Sequence, residues 1–153
     1  MKMMPINVFE RLAQLFICGR ESEKTVTSVD TMTLTLCGMR GSSVYKFESN
    51  ANRTELRRYC KKYSGEETIL ELEQSVACDP QVIIELMNTC GIIHWNGFHG
   101  KHPKNVHDGI MFRFEATVNG GQNVYTDGSE NFPKGYHEFV SALDAMLAES
   151  KND

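Results

Sequence analysis

The sequence predicts an α+β fold, a single domain in which an antiparallel sheet of about five or six strands packs against two or three helices. Three observations carry that expectation. From Ile110 to Val118, Ile110, Phe112, Phe114, Ala116 and Val118 alternate with Met111, Arg113, Glu115 and Thr117, which marks a half-buried strand. Two stretches, one after Asp79 and one after Pro133, repeat their apolar residues at the helical period. Finally, 153 residues with 41% hydrophobic content suffice for one good core and are too few for two ordinary domains.

In chain order, Val8, Phe9, Leu12, Leu15 and Phe16 recur at helical spacing and Gly19 follows, so a short amphipathic helix is expected over about residues 6–17. The polar run from Arg20 to Thr25 reads as an exposed connection. From Thr31 to Cys37, Met32, Leu34 and Leu36 alternate with threonines; from Ser43 to Glu48, Val44 and Lys46 alternate with Tyr45 and Phe47. These runs form a hairpin around the glycine-rich residues 38–42.

Residues 53–62 are rich in arginine and lysine and read either as a basic helix or as the first strand of another hairpin. The hairpin is the more economical reading. With Ser64-Gly65 as its turn, Arg58 falls opposite Glu71 and Lys62 opposite Glu67, so the basic patch largely cancels.

Asp79 is a good N-cap and Pro80 suits the first helical position; Val82, Ile83, Leu86, Met87 and Cys90 then form an apolar stripe that Gly91 can close. In the strand from Ile110, Phe112, Phe114, Ala116 and Val118 share the core face with it. Asn119-Gly120-Gly121 supplies a tight turn and residues 123–125 return as the partner strand. After the loop at 127–131, Pro133 opens a final helix over about 134–148, with Tyr136, Phe139, Val140, Leu143, Met146 and Leu147 on one face. The domain is expected to span 1–149, and residues 150–153 to fray.

A net charge of −4 disfavours nucleic acid or an anionic membrane as a dominant partner. Cys18, Cys37, Cys60, Cys78 and Cys90 are scattered and odd in number, which predicts reduced thiols and a cytoplasmic location. Glu10, Arg11 and Gln14 interrupt the first apolar run, against a secretory signal, and no stretch approaches the roughly 20 apolar residues that cross a bilayer. Familiar catalytic patterns are also missing. The stretch from Gly38 to Ser43 lacks the lysine and spacing of a phosphate loop, and cross-strand pairing with Arg58 accounts for Glu71 and Glu73 without acid–base chemistry.

The suggestive segment is 94–109, which holds four of the five histidines, His94, His99, His102 and His107, and the only tryptophan, Trp95. Trp95 beside a glycine turn can lay its ring over a sheet edge, and Asp108 before Gly109 can accept amide hydrogen bonds that fix the loop entering the long strand. His99, His102, His107 and Asp108 also offer nitrogen and oxygen donors from one loop, suited to zinc. Their spacing, however, matches no strong metal motif.

Trp95-Asn96-Gly97-Phe98, Val106-His107-Asp108-Gly109, Gly121, and Gly128 with Phe132-Pro133 and Tyr136 resemble a set of small bacterial domains of unknown function. Their pattern runs Trp-x-Gly-Phe, a variable loop, Val-x-Asp-Gly, an amphipathic hairpin, and Gly-x-x-x-aromatic-Pro-x-x-Tyr before a terminal helix. The resemblance covers about residues 82–147 and implies a shared fold; it implies no reaction, and the pattern does not require the histidines at 99, 102 and 107.

The functional expectation is a non-enzymatic binding or interaction domain with no cofactor. Its partner is a protein, a small ligand or a second copy of the chain. Its surface is formed by Trp95, Phe98, His99, His102, Asp108 and Phe132. The competing expectation is a metal-binding domain, extending to a metal-dependent hydrolase, with zinc on His99, His102, His107 and Asp108 in the loop 94–108.

Overall fold

The computed structural model describes residues 24–50 and 53–149, so the helix expected at 6–17 and the tail at 150–153 lie outside the described residues. The described chain is α+β. Seven strands, β1 (Val29–Gly38), β2 (Gly41–Asn50), β3 (Arg53–Ser64), β4 (Glu67–Ala77), β5 (His99–Gly100), β6 (Met111–Val118) and β7 (Gln122–Ser129), form one sheet. Two α-helices accompany it, α1 (Pro80–Cys90) and α2 (Tyr136–Glu149), with a 3₁₀ turn at Ile92–Trp95.

The sheet order is β4-β3-β2-β1-β6-β7-β5, antiparallel except where the short β5 runs parallel to β7. The expected sheet of five or six antiparallel strands is thereby corrected to a mixed sheet of seven. The added strand comes from the histidine segment itself: Gly97 N donates to Tyr125 O at 2.9 Å and Asp127 N to Phe98 O at 3.3 Å, so main-chain bonding draws this segment onto the open edge of β7.

Residues 53–62 form a strand. Its register, however, differs from the expected one: Ser64 pairs with Glu67, which makes Gly65-Glu66 the turn, and Lys62 lies opposite Ile69. A bulge between Arg58 and Tyr59 then sets Arg58 opposite Gln74. Charge cancellation survives on the diagonals, with Arg58 to Glu73 at 3.1 Å and Lys62 to Glu71 at 2.6 Å.

The signalled helix α1 begins and ends where its sequence says. Asp79 accepts from Gln81 N at 2.9 Å, Pro80 leads the helix, and Gly91 closes it in the left-handed region at φ 72°. The final helix starts at Tyr136 rather than 134, because the turn Pro133 to Gly135 is spent bonding Tyr136 N to Pro133 O. Likewise β6 begins at Met111: Ile110 lies outside the strand and is exposed, a correction to the alternation that placed it in the core.

Both helices lie on one face of the sheet. Met32, Leu34, Phe47, Leu56, Phe112 and Phe114 project from the strands to meet Ile83 and Met87 of α1 and Phe139, Leu143 and Leu147 of α2, all buried. Each such side chain contributes about 1.5–3 kcal/mol of transfer free energy, so this face dominates the driving force for folding. A polar network fixes α2 laterally. Tyr45 Oη donates to Asp144 Oδ1 at 2.7 Å, Arg58 bonds both Asp144 and Gln74, and Gln74 Nε2 donates to Leu147 O at 3.1 Å. Burial, followed by the Asp144 carboxylate, pushes the Tyr45 phenol up, so it stays a donor across the physiological range.

Candidate functional site

The aromatic half of the histidine segment turns inward. Trp95 is 1% exposed, meets Phe114 and Phe139 edge-on at ring centroid distances of 5.2 and 5.6 Å, and donates Nε1–H to Lys134 O at 2.8 Å. Its expected place over a sheet edge, and on a partner surface, is corrected to the centre of the core. Phe98 is half-buried against that core. Phe132 is half-buried too, stacked on Tyr136 at 4.4 Å and 15°.

Gly128 and Gly100 make this packing possible. A Cβ at Gly128 would stand 2.4 Å from Asn131 O and 2.6 Å from Phe112 Cε1, and one at Gly100 only 2.1 Å from Asn131 O. The loop-fixing role expected of Asp108 falls instead to Glu130. Glu130 Oε2 accepts from Ile110 N at 2.6 Å while its own N–H donates to Ile110 O at 2.9 Å. Asp108 is exposed.

The polar half faces outward. His99 Nδ1–H donates to Asp127 Oδ1 at 2.7 Å, and Asp127 Oδ2 accepts from Tyr125 Oη at 3.1 Å. The His99 hydrogen bond holds the Asp127 carboxyl below its usual range, and Asp127 in turn raises the Tyr125 phenol. His102 is held elsewhere: its Nε2–H donates to Val106 O, so in the neutral ring Nδ1 accepts from Ser129 Oγ at 2.7 Å.

Among the described residues no three His, Cys, Asp or Glu side chains gather at a metal-sized centre. His99, His102, His107 and Asp108 therefore do not assemble the expected zinc ligand set, because the two best-placed imidazoles are committed to different partners on β7 and in the loop.

His99 and Asp127 stand beside the sheet face opposite the helices. Strand alternation delivers to this face the residues between the buried ones: Thr33, Thr35 and Cys37 of β1, Met111, Arg113 and Glu115 of β6, and Tyr125 and Asp127 of β7. A concavity of about 440 Å³ lies there, lined by Thr35, Cys37, Lys61, Arg113, Asp127 and Ser129 among others. A second, of about 310 Å³, continues along the same strands past Thr33, Glu115 and Tyr125. Together they form a trough, positive at the Lys61 and Arg113 end and acidic at Glu115. No ion pair among the described residues engages Lys61 or Arg113.

A further cleft, of about 490 Å³, opens between α1 and α2. Lys134 and Glu138 balance each other on its rim, and the close backbone contact of Cys90 with Gly135 forms part of it, which marks it as a seam between helices.

Sequence reasoning singled out His99 and His102, which the structure sets against Asp127 and Ser129 beside the concavity, and did not single out Lys61, Arg113, Asp127 or Ser129, which line it. The signal was present in the strand alternation, which puts Arg113 on the face opposite Phe112 and Phe114; which strands would neighbour β6 could not be read from it. No protein-family model and no curated protein matches the chain.

Proposed function

We propose that this chain is a non-enzymatic binding domain whose ligand surface is the open-face trough, with a small anion, a phosphate or carboxylate, held at its Lys61 and Arg113 end. The observation that carries the reading is the charge of that end. Two cations face one carboxylate, Asp127, in a chain whose net charge is −4. The planar guanidinium of Arg113 suits bidentate pairing with either anion, Lys61 adds a point charge, and Thr35 supplies a hydroxyl donor. The volume falls within the range of small-ligand sites, roughly 300–1,000 Å³.

Titration calorimetry with inorganic phosphate and with succinate at low salt tests this. Arg113→Gln and Lys61→Gln are each expected to weaken binding about tenfold, since each removes a charge-assisted hydrogen bond, while Asp127→Asn strengthens it by removing a like charge. Bound phosphate should also slow maleimide modification of Cys37, read by peptide mass. Affinities unchanged across the three variants, or no binding of either anion, would refute the proposal.

A further inference from the structure

The sheet ends at β4, and β4 is unlike the other long strands. Among the described residues no strand lies beyond it, and Ile69 and Leu72 are about half exposed, at 49% and 51%, with Leu70 at 39%. From 66 to 77 the chain holds four glutamates, Glu66, Glu67, Glu71 and Glu73, and no lysine or arginine. An edge of this length with exposed leucines presents unpaired main-chain donors and acceptors to any incoming strand.

The two faces of β4 differ, and the difference specifies what fits. The register with β3 puts Thr68, Leu70 and Leu72 on the open side of the sheet beside Tyr59 and Tyr63, and Glu67, Ile69 and Glu71 on the helix-bearing side beside Lys62. Glu71 is shared with Lys62 in an exposed pair, which is weak, and no ion pair among the described residues engages Glu67. A strand added antiparallel to β4 meets apolar side chains on one face and carboxylates on the other.

A second copy of β4 does not satisfy this. An antiparallel two-fold pairing keeps each face against itself, so its centre falls on a residue. Centred on Ile69 it sets Glu67 against Glu71; on Leu70, Glu67 against Glu73; on Glu71, that residue against its own copy; on Leu72, Glu71 against Glu73. Every one of these registers places two glutamates directly opposite, a destabilising arrangement. Registers centred on Thr68, Gln74 or Ser75 escape this clash, but they overlap only one end of the strand and leave Leu72, or Ile69 and Leu70, uncovered. Charge therefore disfavours the chain's own edge over the exposed apolar residues and admits a basic one.

We infer that β4 is a docking edge for an extended segment of another protein that alternates basic with aliphatic residues, added as an eighth strand through β-augmentation. Its lysines or arginines face Glu67 and Glu71, and its aliphatic residues cover Leu70 and Leu72. This surface lies at the opposite edge of the sheet from β5 and His99 and does not depend on the trough reading.

The test uses two capped synthetic peptides, one alternating lysine with valine and the other glutamate with valine, followed by fluorescence anisotropy and by amide exchange of the full chain. The lysine peptide is expected to bind and to slow exchange along Glu67–Leu72. The charge-swapped variant Glu67→Lys with Glu71→Lys should lose about tenfold in affinity for it, as two cross-strand pairs turn from attraction to repulsion, and should gain the glutamate peptide. Both substitutions are at exposed positions, and circular dichroism confirms the fold of the variant. Equal binding of the two peptides by the unmodified chain, binding of neither, or a dimer in sedimentation with β4 already protected overturns the proposal; the last result assigns the edge to a second copy.

Discussion

The two faces of this sheet are made by the same strands and have opposite characters. On β6, Phe112, Phe114 and Ala116 face the helices and are buried, while Met111, Arg113 and Glu115 between them face out and are exposed. The helix-bearing face is closed by packing that leaves little freedom. The open face holds the charges and hydroxyls that packing does not need. The comparison teaches how the histidine segment should be read: it is divided between the faces, its aromatic residues serving the closed one and His99, through Asp127, the open one.

The largest test of this division is Trp95→Ala. Removing a buried indole opens a cavity between Phe114, Tyr136 and Phe139 and leaves Lys134 O without its donor, for an expected loss of about 4 kcal/mol in urea unfolding. A loss below about 1 kcal/mol, the range of surface substitutions, would return Trp95 to the surface where its sequence context suggested it belonged.

Gly128→Ala sharpens the boundary between the faces. The added methyl meets Asn131 O and Phe112 Cε1 well inside contact distance, one a backbone atom and the other a ring already packed against Phe132 and Tyr136. Overpacking of this kind costs roughly 1–3 kcal/mol. A neutral outcome in thermal unfolding would mean that the turn after β7 is looser than its contacts imply.

Much of the closed face was legible in the sequence, since it is built from local signals. Asp79, Pro80 and Gly91 set the limits of α1, and the stripe Tyr136, Phe139, Leu143 and Leu147 gave the buried side of α2, because caps and periodicity act within a few residues. What was not legible depends on partners far apart in the chain. The β3–β4 register shifted because Gly65 adopts φ 66° within the turn and a bulge follows at Arg58, neither visible in charge alternation. Trp95 was misplaced because its neighbours, Phe114 and Phe139, arrive from β6 and α2. Glu130, at φ 48°, carried no sequence mark of its role, whereas Asp-Gly at 108–109 carried a turn signal and drew the assignment. The trough escaped for the same reason: Lys61 and Arg113 come together only once β3, β2, β1 and β6 are laid side by side.

The smallest effect expected lies on the open face and concerns pH. Because the His99 hydrogen bond depresses the Asp127 carboxyl, the folded state binds its proton less readily than the unfolded chain does. The resulting stabilisation is fully present above the unfolded value of about 3.9 and is lost as pH falls through the lower folded value. It is modest, since both side chains are exposed, His99 by 63% and Asp127 by 38%. Urea midpoints of the unmodified chain and of Asp127→Asn should therefore differ slightly at neutral pH and converge in acid, while the Trp95→Ala deficit persists wherever both proteins fold. A gap between the unmodified chain and Asp127→Asn that stayed constant through the acid range would show that Asp127 acts through its shape and neutral hydrogen bonds. The open face would then owe its arrangement to packing after all, and the contrast between the two faces would be one of exposure rather than of charge.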